Sequence, residues 1–329
     1  MPNQAFPRFS NLSIPNTLCL CLTLNLIGAL PVFAKKGDAI GIGGYVHTQF
    51  LSDFRTGVYP RYSFILRRVR LKAEYSQPRF GGELEIGADE LQLEIKDAFG
   101  YYRASPAFIF FAGRRKVGFS LEELTPANRL LLIERGLTNK MFGDYRYPGR
   151  DIGLAIEGEL FTERLPVVYA LGVYNGNRGR LARDDNNAKQ FAERLTVRVL
   201  HGLVLGLNAT QRNDSATGRL INAFGGDFSF KFGQAQINGE VLGGNSLPGD
   251  FMLGGYVQAG YQINGFEPCF RLEHIVPDWK GAVGSQTELT IGCNWHLDRQ
   301  FQVKANILTG LGEAKRPGIK GLFQAQVSF

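Results

Sequence analysis

The stretch Ile-Lys-Gly-Leu-Phe-Gln-Ala-Gln-Val-Ser-Phe at residues 319–329 decides the fold, because it alternates with a period of two. Ile319, Gly321, Phe323, Ala325, Val327 and Phe329 share one face, and Lys320, Gln324, Gln326 and Ser328 share the other. That period belongs to a strand, whose successive side chains point to opposite sides. Here the two sides differ in polarity, which suits a strand with lipid on one face and water on the other.

The other end of the chain agrees. Residues 1–34 carry one charged side chain, Arg8, ahead of the apolar run 18–32. Asn25, Gly28 and Pro31 interrupt the run, and Val32-Phe33-Ala34 closes it before Lys35 and Lys36. This is the pattern of an export leader, with cleavage expected after Ala34 and a mature domain of residues 35–329. The run is short for a spanning helix, which needs roughly 20 apolar residues. Cys19 and Cys21 lie inside the leader without the small preceding residues of a lipid-attachment site. The mature part has 329 − 34 = 295 residues and a charge of 36 − 30 = +6. That modest, dispersed excess does not point to nucleic acid as a partner. Cys269 and Cys293 are too few for a disulfide framework, and four scattered histidines offer no ligand spacing, so neither metal nor cofactor is expected. No Pro- or Ser-rich linker divides the chain, and one domain is expected.

Strand character recurs at about 16 places: 40–54, 62–75, 80–88, 91–103, 107–117, 150–158, 165–174, 190–200, 202–211, 221–232, 234–242, 251–263, 266–274, 284–296, 300–308 and 319–329. Connections after even-numbered strands are a few residues long, and those after odd-numbered strands are mostly longer. Short turns on one side and long loops on the other describe an all-β, up-and-down antiparallel transmembrane barrel. Val69, Leu71, Ala73 and Tyr75 oppose Arg68, Arg70, Lys72 and Glu74; Leu195, Val197 and Val199 oppose Arg194, Thr196 and Arg198. A charge at the lipid midplane costs roughly 2–4 kcal/mol, so the charged faces must line water. A barrel of this strand number is too wide for side chains to fill.

Two places break the alternation. Asp97 falls on the apolar phase of Leu91, Leu93, Ile95 and Phe99, which calls for a bulge or a later strand start. Pro268 comes early in its strand and needs an edge-like position. Cys269 shares the phase of Arg271 and Glu273, and Cys293 that of Leu289, Ile291 and Trp295, so no disulfide should join them. Trp295 is expected at an aromatic girdle.

The longest connection, 118–149, follows the fifth strand. Ser120 and Glu123 have capping-box spacing. Thr125-Pro126 is expected to begin a helical run through Asn128, Arg129, residues 130–133, Glu134 and Arg135, stopped by Gly136. A loop carrying its own helix and the apolar patch 130–133 should fold against the inner wall and narrow the pore; an external lid or a subunit-contact loop is the alternative.

Five segments carry a family resemblance: Phe64-Ile-Leu-Arg-Arg-Val-Arg-Leu71, Lys96-Asp-Ala-Phe99, Gly113-Arg-Arg-Lys-Val-Gly-Phe-Ser-Leu-Glu-Glu-Leu-Thr125, Gly149-Arg-Asp-Ile-Gly153 and Tyr169-Ala-Leu-Gly-Val-Tyr-Asn-Gly-Asn177. Over about 40–177 the chain resembles the phosphate-selective porin O/P family of Gram-negative outer membranes. The resemblance implies a 16-stranded homotrimeric porin whose third external loop constricts the channel while basic side chains guide small anionic solutes. It places the protein among outer-membrane lipid and lipopolysaccharide. Arg67 and Arg68 match an arginine pair that faces the pore in phosphate-binding members, although alternation puts only Arg68 inside and Arg67 near the outer rim. The chain departs from the family where phosphate-holding lysines correspond to Glu123 and Asn128, with Arg129 adjacent.

Lumen-phase basic residues are Arg68, Arg70, Lys72, Arg114, Lys116, Arg194, Arg198, Lys231, Arg271, Lys304 and Lys320. Opposing them are Glu74, Glu83, Glu85, Asp151, Glu157, Asp227, Glu240 and Glu273. Eleven against eight predicts a weak anion preference, to which Arg129, Arg135, Lys140, Arg146 and Arg150 of the loop add. A catalytic barrel would need histidine gathered with an acid or nucleophile at one rim. His47, His201, His274 and His296 are dispersed, and only His274 and Asp278 lie near one another, so no catalytic residues are expected. A plugged structural or adhesive barrel is the other alternative, though most of the expected external loops are short for it.

Overall fold

The computed structural model describes residues 39–55, 57–161, 165–177, 184, 186–214, 217–246, 251–280, 284–311 and 318–329; the leader expected at 1–34 lies outside them. Sixteen strands form: β1 (Ala39–Asp53), β2 (Tyr62–Ser76), β3 (Phe80–Asp89), β4 (Gln92–Ser105), β5 (Phe108–Lys116), β6 (Arg150–Leu160), β7 (Val167–Tyr174), β8 (Gln190–Leu200), β9 (Leu203–Asn213), β10 (Leu220–Phe232), β11 (Ala235–Asn245), β12 (Phe251–Tyr261), β13 (Phe266–Val276), β14 (Gln286–His296), β15 (Phe301–Leu311) and β16 (Ile319–Ser328). Each pairs antiparallel with its sequence neighbour, and β1 pairs with β16 to close the barrel. Among the described residues no helix is long and apolar enough to cross a membrane.

The terminal strand closes the cylinder as its pattern suggests. Tyr45 through Asp53 run opposite Ser328 through Lys320. Beyond that ladder the Gly44 amide donates to the Phe329 carbonyl at 2.9 Å and the Phe329 amide to Gly44 at 3.0 Å. The Phe329 ring lies over Gly44, where a Cβ would meet the ring at 2.7 Å and the Arg70 carbonyl at 2.2 Å. Glycine is therefore required at position 44 by close approach.

Outward faces are largely apolar: Phe64, Leu71, Leu154, Leu207, Phe224 and Ile307 are exposed, whereas Arg68, Arg70, Arg271, Lys304, Asp227 and Glu240 are buried inside, and the outward polar residues Glu193, Asn222 and His274 stand close to strand ends. The charges avoid the lipid side for the reason given above. Trp295 stacks on Phe266 at 5.5 Å, both near the short-turn end. Pro268 lies just past the last β12–β13 pair, Gly260 with Cys269, so its missing N–H leaves no ladder bond unmade on that side.

Alternation fails at several points, among them Arg103/Ser105 and Arg198/Leu200 at the short-turn end, and three others shape the lumen. In β4 the register shifts so that Glu85 faces Asp97 and Ile86 faces Ile95, which leaves Lys96 as the extra residue of a bulge. Lys96 and Asp97 both become buried. Phe99, expected on the lipid side, is carried inward with them and borders the lumen. In β2 the register shifts between His47–Arg68 and Thr48–Leu66, so Arg67 is the extra residue. It turns inward beside Arg68 instead of standing at the outer rim. In β5, where Ile109 and Phe111 border the lumen and Phe108 and Phe110 are exposed, Gly113 takes φ 130° and Arg114, Arg115 and Lys116 all border the lumen, including Arg114 and Lys116, which alternation continued from Phe110 sends outward.

Cys269 and Cys293 are both free, the first buried under the loop and the second exposed outside. An apolar maleimide applied to the folded protein in detergent should therefore label Cys293 and spare Cys269, with both reacting after denaturation. Equal labelling of the two in the folded state would contradict the facing of β13 and β14.

Candidate functional site

The connection between β5 and β6 builds the site. Ser120 caps the short helix α1 (Leu121–Leu124), accepting from the Glu123 amide, as the capping-box spacing predicts. The helix expected beyond Pro126 does not continue: a 3-10 turn covers Ala127–Arg129, and Leu130 is already extended. Leu130, Leu131, Leu132 and Ile133 are all buried, which a single helix face could not achieve. Their backbone is met by the wall instead. Lys304 donates to the Leu130 carbonyl, Asn294 to that of Leu131 at 2.9 Å, and the Ile133 amide donates to Asn306 at 2.7 Å. Gly136, expected to stop a helix, is the N-cap of α2 (Leu137–Asp144).

Tertiary contacts hold the loop inside the barrel. Glu240 of β11 accepts from the Ser120 hydroxyl at 3.0 Å and from the Leu121 amide at 2.5 Å. Glu122 accepts from the Gly136 amide and pairs with Arg271 of β13 at 2.8 Å, with both side chains almost wholly buried. Gln326 of β16 donates to the Asn128 carbonyl at 3.0 Å. Phe119, Phe142 and Tyr147 pack together against Ile221, Ala223, Leu242 and Met252 of the inner wall. A Cβ on Gly136 would lie 2.3 Å from a Glu273 oxygen, so the start of α2 sits directly on β13.

What remains open runs along the opposite wall. A cavity of about 2070 Å³ is bounded by β1–β7, by parts of β8–β10, and by the loop segment from Glu123 to Arg129 with Arg135. Its charges are mostly partnered across short distances. Arg70 meets Asp89 at 2.7 Å and Glu85 at 3.4 Å; Lys72 meets Glu83 at 2.9 Å and also Glu74; Lys96 contacts Asp89 and Glu94. Arg150 meets Asp97 at 2.7 Å and Glu85 at 3.4 Å. Arg115 lies 4.0 Å over the Phe111 ring and pairs with Glu157 at 2.5 Å. Arg194 forms a two-pronged pair with Asp227, both distances 2.8 Å.

The other expected residues divide. Lys116 donates to the carbonyls of Glu123 and Leu124 and so ties the loop to its own strand. Arg114 donates to the carbonyls of Ile95 and Lys96 beside the bulge. Arg135 is turned back onto the carbonyls of Glu122, Glu123 and Thr125, and it closes the loop on itself. Arg129 and Asn128 border the cavity. Arg198 is exposed at the short-turn end of β8, apart from the rest.

The arginine pair has the most developed environment. Arg67 donates through Nε and Nη2 to the two Glu134 oxygens at 2.8 and 3.1 Å, and Arg68 Nη2 donates to Oε2 at 3.0 Å. Gln49 adds a bond of 2.9 Å. Burial alone would raise the Glu134 carboxyl, but the Arg68 charge and the Arg67 hydrogen bond outweigh it and bring it down to about 2 from an ordinary 4.5. A carboxyl held below its unfolded value contributes fully above that value, and the contribution is lost as pH falls through the lower one. The contact therefore stays ionised at neutral pH. Alternation did not reveal Glu134, since it lies in the loop. The signal available was the adjacent pair Arg67-Arg68, which the period alone accepts because an arginine near a rim can stand outward.

Among the described residues, the acids close enough to share a cation are Glu83, Glu85 and Asp97. Each already faces Lys72, Arg70 or Arg150. His274 points outward and bonds Thr287 at 2.8 Å, away from the lumen.

A family profile described as phosphate-selective porin O and P matches residues 43–239. No curated protein matches the sequence. The fold is similar to the outer membrane channel DcaP of Acinetobacter baumannii, with a TM-score of 0.67 and 10% identity over 91% of this chain and 100% of that one. It is also similar to the trimer form of OmpT, an outer membrane protein of Vibrio cholerae, with a TM-score of 0.64 and 10% identity over 89% and 100%. An anion-selective porin from Comamonas acidovorans gives 0.61 and 10% over 89% and 100%. At such identities the likeness concerns the fold.

The Glu122–Arg271 pair is the deepest tie between loop and wall. Removing one partner of a buried pair costs about 3–5 kcal/mol. E122Q should leave a barrel that still migrates as a folded species on gels but whose loop is cut by added protease. An equally resistant loop would show that the pair is dispensable.

Proposed function

Since the chain belongs to the phosphate-selective porin O and P family, we propose that it forms a water-filled diffusion channel across the outer membrane for small hydrophilic solutes, with a weak preference for anions. In this reading residues 1–34 are an export leader removed after Ala34, and the mature barrel works as a homotrimer among outer-membrane lipid and lipopolysaccharide. The third external loop narrows the passage, with Arg68, Arg70, Lys72, Arg114, Lys116, Arg129 and Arg194 along it and Arg198 toward its exit. The trimer form of the Vibrio cholerae protein and the anion selectivity of the Comamonas porin support it by likeness of fold.

One observation carries the selectivity. The channel's cations are interleaved with carboxylates at contact distance: Arg70 with Asp89, Arg150 with Asp97, Arg194 with Asp227. Paired charges produce a transverse field and a small net bias, whereas rings of one sign produce strong selection. Glu123 and Asn128, at the family's lysine positions, add no positive charge. Phosphate is thus expected to pass with other small anions without being held.

Single-channel recording in a planar bilayer tests this, with reversal potential in a salt gradient and then with added phosphate. Stepwise openings, mild anion preference and no block by millimolar phosphate are expected. Strong phosphate block would establish a dedicated phosphate channel. Silence from demonstrably folded protein would favour a plugged structural barrel.

A further inference from the structure

We propose that Glu134 sets the charge selectivity of this channel, standing as a built-in carboxylate in an oxyanion receptor made by Arg67, Arg68 and Gln49. The inference rests on the channel reading above and deepens it by naming a loop carboxylate that, beyond the pairs fixed within the wall, holds the anion preference down.

The receptor belongs to the wall and its occupant to the loop. Arg67 offers the parallel donors of a guanidinium fork, Nε to Oε1 at 2.8 Å and Nη2 to Oε2 at 3.1 Å, the geometry that suits carboxylate and phosphate alike. Arg68 adds Nη2 to Oε2 at 3.0 Å. Gln49 adds Nε2 to Oε1 at 2.9 Å, and a second bond of 2.8 Å to Gln324 fixes its amide. All four donors stand on β1 and β2, set by the bulge at Arg67 that brings two consecutive arginines to one face. Their backbone positions are set by the pairing of β1 with β2.

The receptor also has more capacity than one carboxylate uses. His47, opposite Arg68 on β1 and fully buried, has no hydrogen-bond partner at either ring nitrogen, and Nη1 of Arg68 has none. Buried polar groups are ordinarily satisfied, so surplus donors around a chelated anion point to a site able to take an oxyanion richer in acceptor atoms.

Glu134 differs from its neighbours in what it neutralises. Glu122 is used on the wholly buried Arg271, and Glu123 faces Arg135 of the loop itself at 3.4 Å. Glu134 meets two arginines that border the open cavity. The wall acids near them are secondary: Glu90 is 3.3 Å from Arg67, and Asp89 is 3.9 Å from Arg68. Taking away the Glu134 charge would leave two adjacent guanidinium groups, one of them nearly dehydrated, where their attraction for a passing anion is far stronger than in bulk water.

The test compares wild type, E134Q and E134D as full-length folded protein, with two readouts. In bilayers, E134Q should raise the anion-to-cation permeability ratio several-fold and make the current sensitive to inorganic phosphate, while E134D stays near wild type. In detergent, calorimetric titration with inorganic phosphate should show binding to E134Q, no binding to wild type, and none to E134Q carrying R67Q and R68Q. The titration does not depend on conduction, so silent but phosphate-binding E134Q would sink the channel reading and leave the receptor standing. Unchanged permeability ratio with larger total current would mean that Glu134 only tethers the loop, and would overturn the proposal. So would phosphate binding that survives R67Q and R68Q. Should E134Q fail to fold, R67Q supplies the reverse case: an under-neutralised Glu134 must shift the ratio toward cations, and no shift refutes the assignment.

Discussion

In hydrocarbon no water is present to satisfy a backbone amide or carbonyl, and every other property of this barrel follows from that. A sheet in lipid cannot keep an open edge, so the first and last strands must find each other. They do so through the ladder that ends with Gly44 and Phe329. Closure fixes which side of every strand is lipid and which is lumen. Side chains then sort by charge, because the penalty for misplacement exceeds what any surface pairing returns. Sixteen strands leave an interior that the wall's own side chains cannot fill. Into it goes a segment of chain, and what that segment leaves uncovered is the passage.

Period-two reading captured the wall nearly whole, since strand spacing, turn length and facing are all local signals. Its failures have a common physical form. At Asp97 an acid on an apolar phase is intolerable in lipid, so the conflict itself announced a bulge. At Arg67 there was no conflict: a long arginine near a rim can snorkel to water, and alternation therefore accepted an outward position. Only the register between His47–Arg68 and Thr48–Leu66 shows it turned in. Gly113 acts the same way on β5, with a backbone conformation at φ 130° that no count of apolar positions reports.

The loop was legible at its start and lost after Pro126. Ser120 and Glu123 form a local cap, and a local rule found them. Residues 130–133 are four apolar residues in a row, a pattern that periodicity cannot assign between helix and extended chain. The decision was made by partners far along the chain: Asn294, Lys304 and Asn306 satisfy the backbone that a helix would have satisfied for itself. Glu122 and Arg271 stand 149 residues apart, and nothing between them marks the pairing. Such contacts are visible only once the barrel has brought the two walls together.

Those same partners tie stability to selectivity. A buried arginine left alone is expensive, so most lumen guanidinium groups acquire a carboxylate, and each pairing subtracts from the field an ion would feel. Most of these pairs lie within the wall and are fixed with it. The Arg67–Arg68 pair is different, because its carboxylate arrives on a separate segment whose position depends on Glu240, Arg271 and Lys304. On the role proposed for Glu134, loop anchoring and pore charge become one variable in this barrel. If Glu134 holds that role, a sequence change that loosens the loop at β11 or β13 would act on the ions at β2 without touching the wall that faces them.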